Sequence, residues 1–136
     1  MLRGVTDSPP VIAVLDDEAQ MRKALGRLLR THGYEVALFG DGPALLAAHA
    51  GRPFDCVLLD LHMPGLNGFA VLERLARGQP PPPVIVITGH DEPGNEARVA
   101  ALGACAYLTK PVDEVPLLAA VVRSLETALP THRGGH

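Results

Sequence analysis

Five residues of this 136-residue chain have side chains suited to one kind of chemistry: Asp16, Asp17, Asp60, Thr88 and Lys110. Each directly follows an apolar run that reads as a strand, or lies one residue beyond it. If those strands run parallel, their carboxyl ends share one edge, and three carboxylates, a hydroxyl and an ammonium converge there. Carboxylates at close quarters repel and raise each other's pKa unless a cation joins them. A hard divalent cation with oxygen ligands, Mg²⁺ above all, suits such a set. An Asp carboxylate beside a metal and a lysine is a competent nucleophile toward a phosphoryl group, and the product would be an aspartyl phosphate. Taken singly, each residue has a plainer role. Acids after strands cap helices or stay solvated, a threonine before Gly89 ends a strand, and a lone lysine sits on the surface. The specificity lies in the set.

Positioning that set requires a particular order of elements. Val11 to Leu15 is a continuous apolar run rich in β-branched residues. From Glu18 the period becomes helical, through Met21, Leu25, Leu28, Leu29 and His32, with Gly33 closing the segment. Glu35 to Phe39 is a short strand. Asp41 caps a helix that reaches Gly51, with Pro43 in its first turn. Phe54 to Leu59 is a strand, and Phe69, Val71, Leu72 and Leu75 form a helix ending near Gly78. Val84 to Ile87 is a strand, Asn95 to Leu102 a helix stopped by Gly103, and Cys105 to Leu108 a strand. Asp113 caps a last helix through Leu117, Leu118, Val121, Val122 and Leu125. Five strands alternating with five helices predict an α/β fold, a doubly wound parallel sheet with right-handed crossovers. The runs at 11–15, 56–59 and 84–87 are apolar throughout, as expected of strands buried on both faces. In such sheets, chemistry collects at the carboxyl ends of the strands.

Composition narrows the function classes. The length suits one domain. Charge arithmetic gives 12 basic minus 15 acidic residues, or −3, which disfavours a nonspecific nucleic-acid binder. Aromatics are 4% with no Trp, so stacking platforms for single strands are disfavoured as well. The two cysteines, Cys56 and Cys105, cannot build a disulfide framework and are expected as buried thiols. No secretory signal and no membrane-length apolar run is present in the sequence. These features point to a soluble, reduced, cytoplasmic protein. Residues 1–10 and 130–136 lack periodicity and are expected as flexible tails around a unit at 11–129. Gln79 and Pro80 to Pro83 read as a stiff connector.

The motifs VLDDE (14–18), LLDLHMPGLNG (58–68), VIVITGH (84–90) and YLTKP (107–111) together resemble the receiver domain of two-component response regulators, over almost the whole chain. The resemblance implies the flavodoxin-like, chemotaxis-regulator-like strand order 2-1-3-4-5. It implies that Asp60 is the phosphoacceptor, served by a sensor histidine kinase or phosphotransfer protein. It assigns Asp16 and Asp17, with Asp60 and the backbone carbonyl of His62, to Mg²⁺. It assigns Lys110 to the phosphoryl oxygens, and Thr88 and Tyr107 to a switch that alters the face formed by the fourth helix, fifth strand and fifth helix. It also implies a cis Lys110–Pro111 bond and places His90 at the site entrance. On this reading the chain is a signalling domain that is phosphorylated and dephosphorylated, not a conventional enzyme. Its output would be binding to a downstream protein or phosphorylation-dependent homodimerisation, with no direct nucleic-acid or membrane contact. Few residues follow the last helix, which leads to the expectation of a single-domain regulator. Two rivals remain: a phosphohydrolase of the haloacid dehalogenase type, which needs a second Asp where His62 stands, and an interaction module that is never phosphorylated.

Overall fold

The computed structural model describes residues 9–63 and 67–133, with side chains through Glu126. Most of the expected terminal tails (residues 1–8 and 134–136), and Pro64, Gly65 and Leu66 of the LLDLHMPGLNG motif, lie outside the described residues. The elements run β1 (Val11–Leu15), α1 (Ala19–Thr31), β2 (Glu35–Phe39), α2 (Gly42–Gly51), β3 (Cys56–Asp60), α3 (Gly68–Ala76), β4 (Val84–Thr88), α4 (Asn95–Ala101), β5 (Ala106–Thr109) and α5 (Glu114–Arg133). The strands form one parallel sheet in the order β2-β1-β3-β4-β5, as expected.

Alternation along the strands explains the two helical layers, because successive side chains point to opposite faces. Ala13, Leu15, Val57, Leu59, Val84 and Val86 pack with Leu45 of α2, Val71, Leu72 and Leu75 of α3, and Val99 of α4. Ile12, Val14, Leu58, Ile85 and Ile87 face the other way, onto Leu25 and Leu29 of α1 and Leu117 and Val121 of α5. Every residue of β3 and β4 is buried, which is why those runs carry no polar residue before their last position.

The helix ends follow local chemistry. Gly33 and Gly103 close α1 and α4 at φ +91° and +106°, a region open to glycine at little cost. Asp41 caps α2 by accepting the Ala44 N–H at 2.9 Å. Asn67 caps α3 in the same way, accepting from Ala70 at 3.0 Å.

The structure departs from the sequence expectations in three places. β3, β4 and β5 each run one residue further at their carboxyl ends, so Asp60, Thr88 and Thr109 are strand residues rather than the first of a loop, and β3 and β5 begin at Cys56 and Ala106 rather than at Phe54 and Cys105. Cys56 is buried, but Cys105 is exposed. It lies just before β5, where the chain enters the sheet from the surface. Its Sγ bonds the Val84 carbonyl at 3.3 Å and meets Ser124 Oγ at 3.1 Å. Finally, α5 continues to Arg133, four residues into the expected tail. The Lys110–Pro111 bond is cis, as expected.

Gly68 ties the start of α3 to the end of β3. Its N–H donates to the Leu61 carbonyl at 3.0 Å. A Cβ at this position would sit 2.5 Å from Leu61 Cα and 2.6 Å from the Asp60 carbonyl oxygen, both backbone atoms. Gly68→Ala is therefore expected to cost about 1–3 kcal/mol, as overpacked sites do. A lowered urea midpoint with an unchanged slope checks this, and a midpoint equal to the parent's contradicts it.

Candidate functional site

The register of the sheet builds the site. Leu15 of β1 pairs with Leu59 of β3, so one step further Asp16 comes beside Asp60. Both are buried, at 1% and 5% exposure, while Asp17 stands exposed at the rim. Carboxylate oxygens of Asp16, Asp17 and Asp60 lie within 4.8 Å of one another. An all-oxygen, carboxylate-rich set of this size can hold a hard divalent cation. The donor set lacks the sulfur and nitrogen ligands that select softer metals.

Lys110 enters from the end of β5. Its N–H donates to the Thr88 carbonyl at 2.8 Å, which ties the two strand ends together. Its Nζ donates to Asp16 Oδ2 at 2.9 Å and to Glu18 Oε1 at 3.4 Å, and stands 3.6 Å from Asp60 Oδ2. Burial on its own would lower the lysine's pKa. The bond to Asp16 and the charges of Asp60 and Asp16 outweigh it and raise the pKa, so the ammonium stays charged. Asp60 moves the other way for a carboxylate. Burial, helped by the charge of Asp16, pushes its pKa up to about 6, against the pull of Lys110 and of the His62 N–H. That N–H donates to Asp60 Oδ1 at 3.2 Å, so the two carboxylate oxygens have different surroundings. Asp16 is held more firmly still. Its Oδ1 accepts the Glu18 N–H at 2.9 Å, and its carbonyl accepts Arg22 Nη1 at 2.7 Å.

Asp16, Asp17, Asp60 and Lys110 therefore converge as the sequence led us to expect. Thr88 is fully buried beside them, but its hydroxyl bonds His62 and His90 rather than Asp60. Tyr107 lies further off, on the face shared by α4, β5 and α5. Its hydroxyl donates to Asp91 Oδ1 at 2.8 Å. The sequence reading missed Glu18 and Arg22 as supports of the site, although Glu18 directly follows the acidic pair and Arg22 lies in the first turn of α1. It also missed the ring of His62, treated there only as a backbone carbonyl.

Comparison with known proteins agrees with this geometry. Residues 12–122 match the family described as the response regulator receiver domain. The chain is 39% identical over 119 residues to the transcriptional regulatory protein FixJ of Bradyrhizobium diazoefficiens, covering 88% of this chain and 58% of that protein. It is 35% identical over 116 residues to nodulation protein W of the same organism, covering 85% and 51%. The chain thus spans about half the length of these curated relatives. Among solved structures, it is similar to a CheY-like response regulator receiver domain protein from Methanospirillum hungatei JF-1, with a TM-score of 0.83 and 28% identity over 88% of this chain and 96% of that one.

The raised pKa of Asp60 has a consequence for stability. Its carboxyl titrates near 6 in the folded chain and near 3.9 when unfolded, so the folded state holds the proton more tightly. The folded parent loses ground as pH rises from about 4 through about 6. Asp60→Asn carries no such charge. It is expected to be more stable than the parent by about 1–3 kcal/mol near pH 8, with the gain shrinking toward zero near pH 4. Urea denaturation in EDTA at the two pH values measures this, and an equal gain at both contradicts it.

Proposed function

The chain belongs to the response regulator receiver domain family, and from that premise we propose that Asp60 accepts a phosphoryl group from a histidine kinase or phosphotransfer protein in a Mg²⁺-dependent reaction. The observation that carries this reading is the placement of Asp60. It is a buried strand-end carboxylate whose pKa of about 6 leaves it ionised near neutrality, with an ammonium 3.6 Å from one of its oxygens.

The chain's own residues define the chemistry. An ionised Asp60 oxygen attacks phosphorus, the bond from phosphorus to the donor imidazole breaks, and the departing imidazole nitrogen keeps the electron pair and takes up a proton. Lys110 pairs with the phosphoryl oxygens as charge shifts onto them. Asp16, Asp17 and Asp60 are the carboxylates that would hold Mg²⁺, joined, as the family resemblance implies, by the His62 backbone carbonyl. When bound, the metal neutralises the crowded carboxylates and the oxygens of the transferring group. The Thr88 hydroxyl then turns toward the phosphoryl group, the loop after β4 follows, and the Tyr107 ring moves with it. Phosphorylation adds charge of about −1.5 to −2 and new acceptor oxygens, and shifts the population between two arrangements of the α4–β5–α5 face. That face carries the signal to a downstream protein or a second copy of the chain. The receiver unit is taken as residues 11–129, acting in the cytoplasm as a signalling domain rather than a conventional enzyme. A phosphohydrolase of the haloacid dehalogenase type is disfavoured. His62 stands where that chemistry needs a second acid, and its ring is bonded to Thr88.

Incubation with acetyl phosphate and Mg²⁺, read by intact mass, tests the reading. The parent gains one phosphoryl group, Asp60→Asn gains none, and Asp17→Ala is phosphorylated at least about tenfold more slowly, in the range that loss of a metal-site group produces. Stoichiometric uptake by Asp60→Asn, or uptake undiminished by excess EDTA, overturns it. Rapid turnover without a trapped phosphoryl group points instead to a hydrolase, and no reaction at all to a scaffold. Thr88→Ala is expected to accept the phosphoryl group yet lose most of the phosphorylation-dependent change in partner binding or dimerisation. A full response in that variant refutes the switch.

A further inference from the structure

Thr88 Oγ1 has three partners. It donates to the His90 carbonyl at 3.1 Å and accepts the His90 N–H at 3.0 Å. The third is Nδ1 of His62, at 3.1 Å. A hydroxyl has one proton and two lone pairs. With the proton spent on the His90 carbonyl, the hydroxyl is left to accept from His62 Nδ1. The bonding capacity of the hydroxyl is then full, and none of it is directed at Asp60. The arrangement is braced from both sides. The rings of His62 and His90 pack with centroids 4.7 Å apart at 55°. The His90 carbonyl also accepts Asn95 Nδ2 at 3.3 Å. His62 meanwhile donates its backbone N–H to Asp60 Oδ1 at 3.2 Å. One residue thus touches the acceptor carboxylate through its main chain and the hydroxyl of β4 through its ring.

We propose that the His62 imidazole is a positioning group that latches Thr88 away from Asp60, so that the Thr88 hydroxyl can reach a phosphoryl group there only after its bond to His62 is broken. This rests on the reading of Asp60 as acceptor and Thr88 as switch hydroxyl. The ring then sets the resting population of the switch: with the latch present, the active arrangement is rarer and the response to a given phosphoryl load smaller. Loss of one neutral hydrogen bond moves such an equilibrium by roughly three- to tenfold. Asn and Leu separate the bond from the bulk of the ring. An Asn amide places a donor near the position of Nδ1, whereas Leu fills similar space without one.

The test is the affinity of the full chain for beryllofluoride in saturating Mg²⁺, followed by ¹⁹F NMR. His62→Leu is expected to bind roughly three- to tenfold more tightly than the parent, and His62→Asn to stay within about twofold of it. In a Thr88→Val background the effect of His62→Leu is expected to vanish, because the group it acts through is gone. Binding by His62→Leu that equals or falls below the parent's overturns the latch. So does the same tightening with Thr88→Val, which would mean that the ring merely crowds the entrance, and so does an Asn variant that behaves like Leu. Long-range ¹H–¹⁵N spectra of the parent need no substitution: the His62 Nδ1 resonance is expected to shift on adding beryllofluoride, and an unmoved resonance overturns the proposal. A parent that does not bind beryllofluoride, or binds it equally well after Asp60→Asn, refutes the acceptor reading itself and takes the latch with it.

Discussion

Lys110 Nζ meets carboxylate oxygens of Asp16, Glu18 and Asp60 at 2.9, 3.4 and 3.6 Å, so a single ammonium faces the negative charge gathered where β1, β3 and β5 end. Two of those carboxylates are almost fully buried, and the lysine side chain keeps only 15% of its surface exposed. Ionised groups taken so far out of water are tolerated only when paired and hydrogen-bonded. Asp16 meets both conditions, through Lys110 and the Glu18 N–H. Asp60 meets them less fully, with a longer approach to the ammonium and one backbone donor. Its carboxyl pKa is accordingly pushed up, as happens to reactive groups held in a cleft.

That imbalance connects the fold to the function of a receiver domain. A carboxylate that is crowded and under-compensated has much to gain from a bound cation. The surrounding structure keeps it from relieving the strain by itself. β3 is buried along its whole length, Gly68 allows the backbone of α3 to close onto the Asp60–Leu61 segment, and Asn67 anchors the first turn of that helix. Packing thus holds a carboxylate where its own electrostatics would not place it, and the free energy for doing so comes from the apolar layers on both faces of the sheet.

Much of this was legible in the amino-acid order. β1, β3 and β4 announce themselves as unbroken apolar runs because both of their faces are covered, and Gly33 and Gly103 mark helix ends that only a positive φ explains. The strand order was not legible from periodicity, since any order of five buried strands would leave the same pattern; it came from the resemblance. Cys105 misled because its apolar neighbours belong to a strand that begins one residue later. The ring of His62 was out of reach for a different reason. Its partner, Thr88, is 26 residues away, and their meeting depends on the register in which β3 pairs with β4, where Asp60 lies opposite Ile87. Glu18 sat in plain view within VLDDE, but its reach to Lys110 depends on which way the first turn of α1 faces.

The sheet order also divides the site mechanically. β1 and β3 are bonded to a strand on each side, whereas β5 has a single neighbour and is only partly buried. Opening free energies follow such differences, so amide protons in β1 and β3 should be among the last to exchange and those of β5 among the first. Asp16 and Asp60 issue from the slow-exchanging pair, and Tyr107 and Lys110 from the pliable margin. Asp60 is therefore mounted on a stiff part of the sheet, and Tyr107 and Lys110 where deformation costs least.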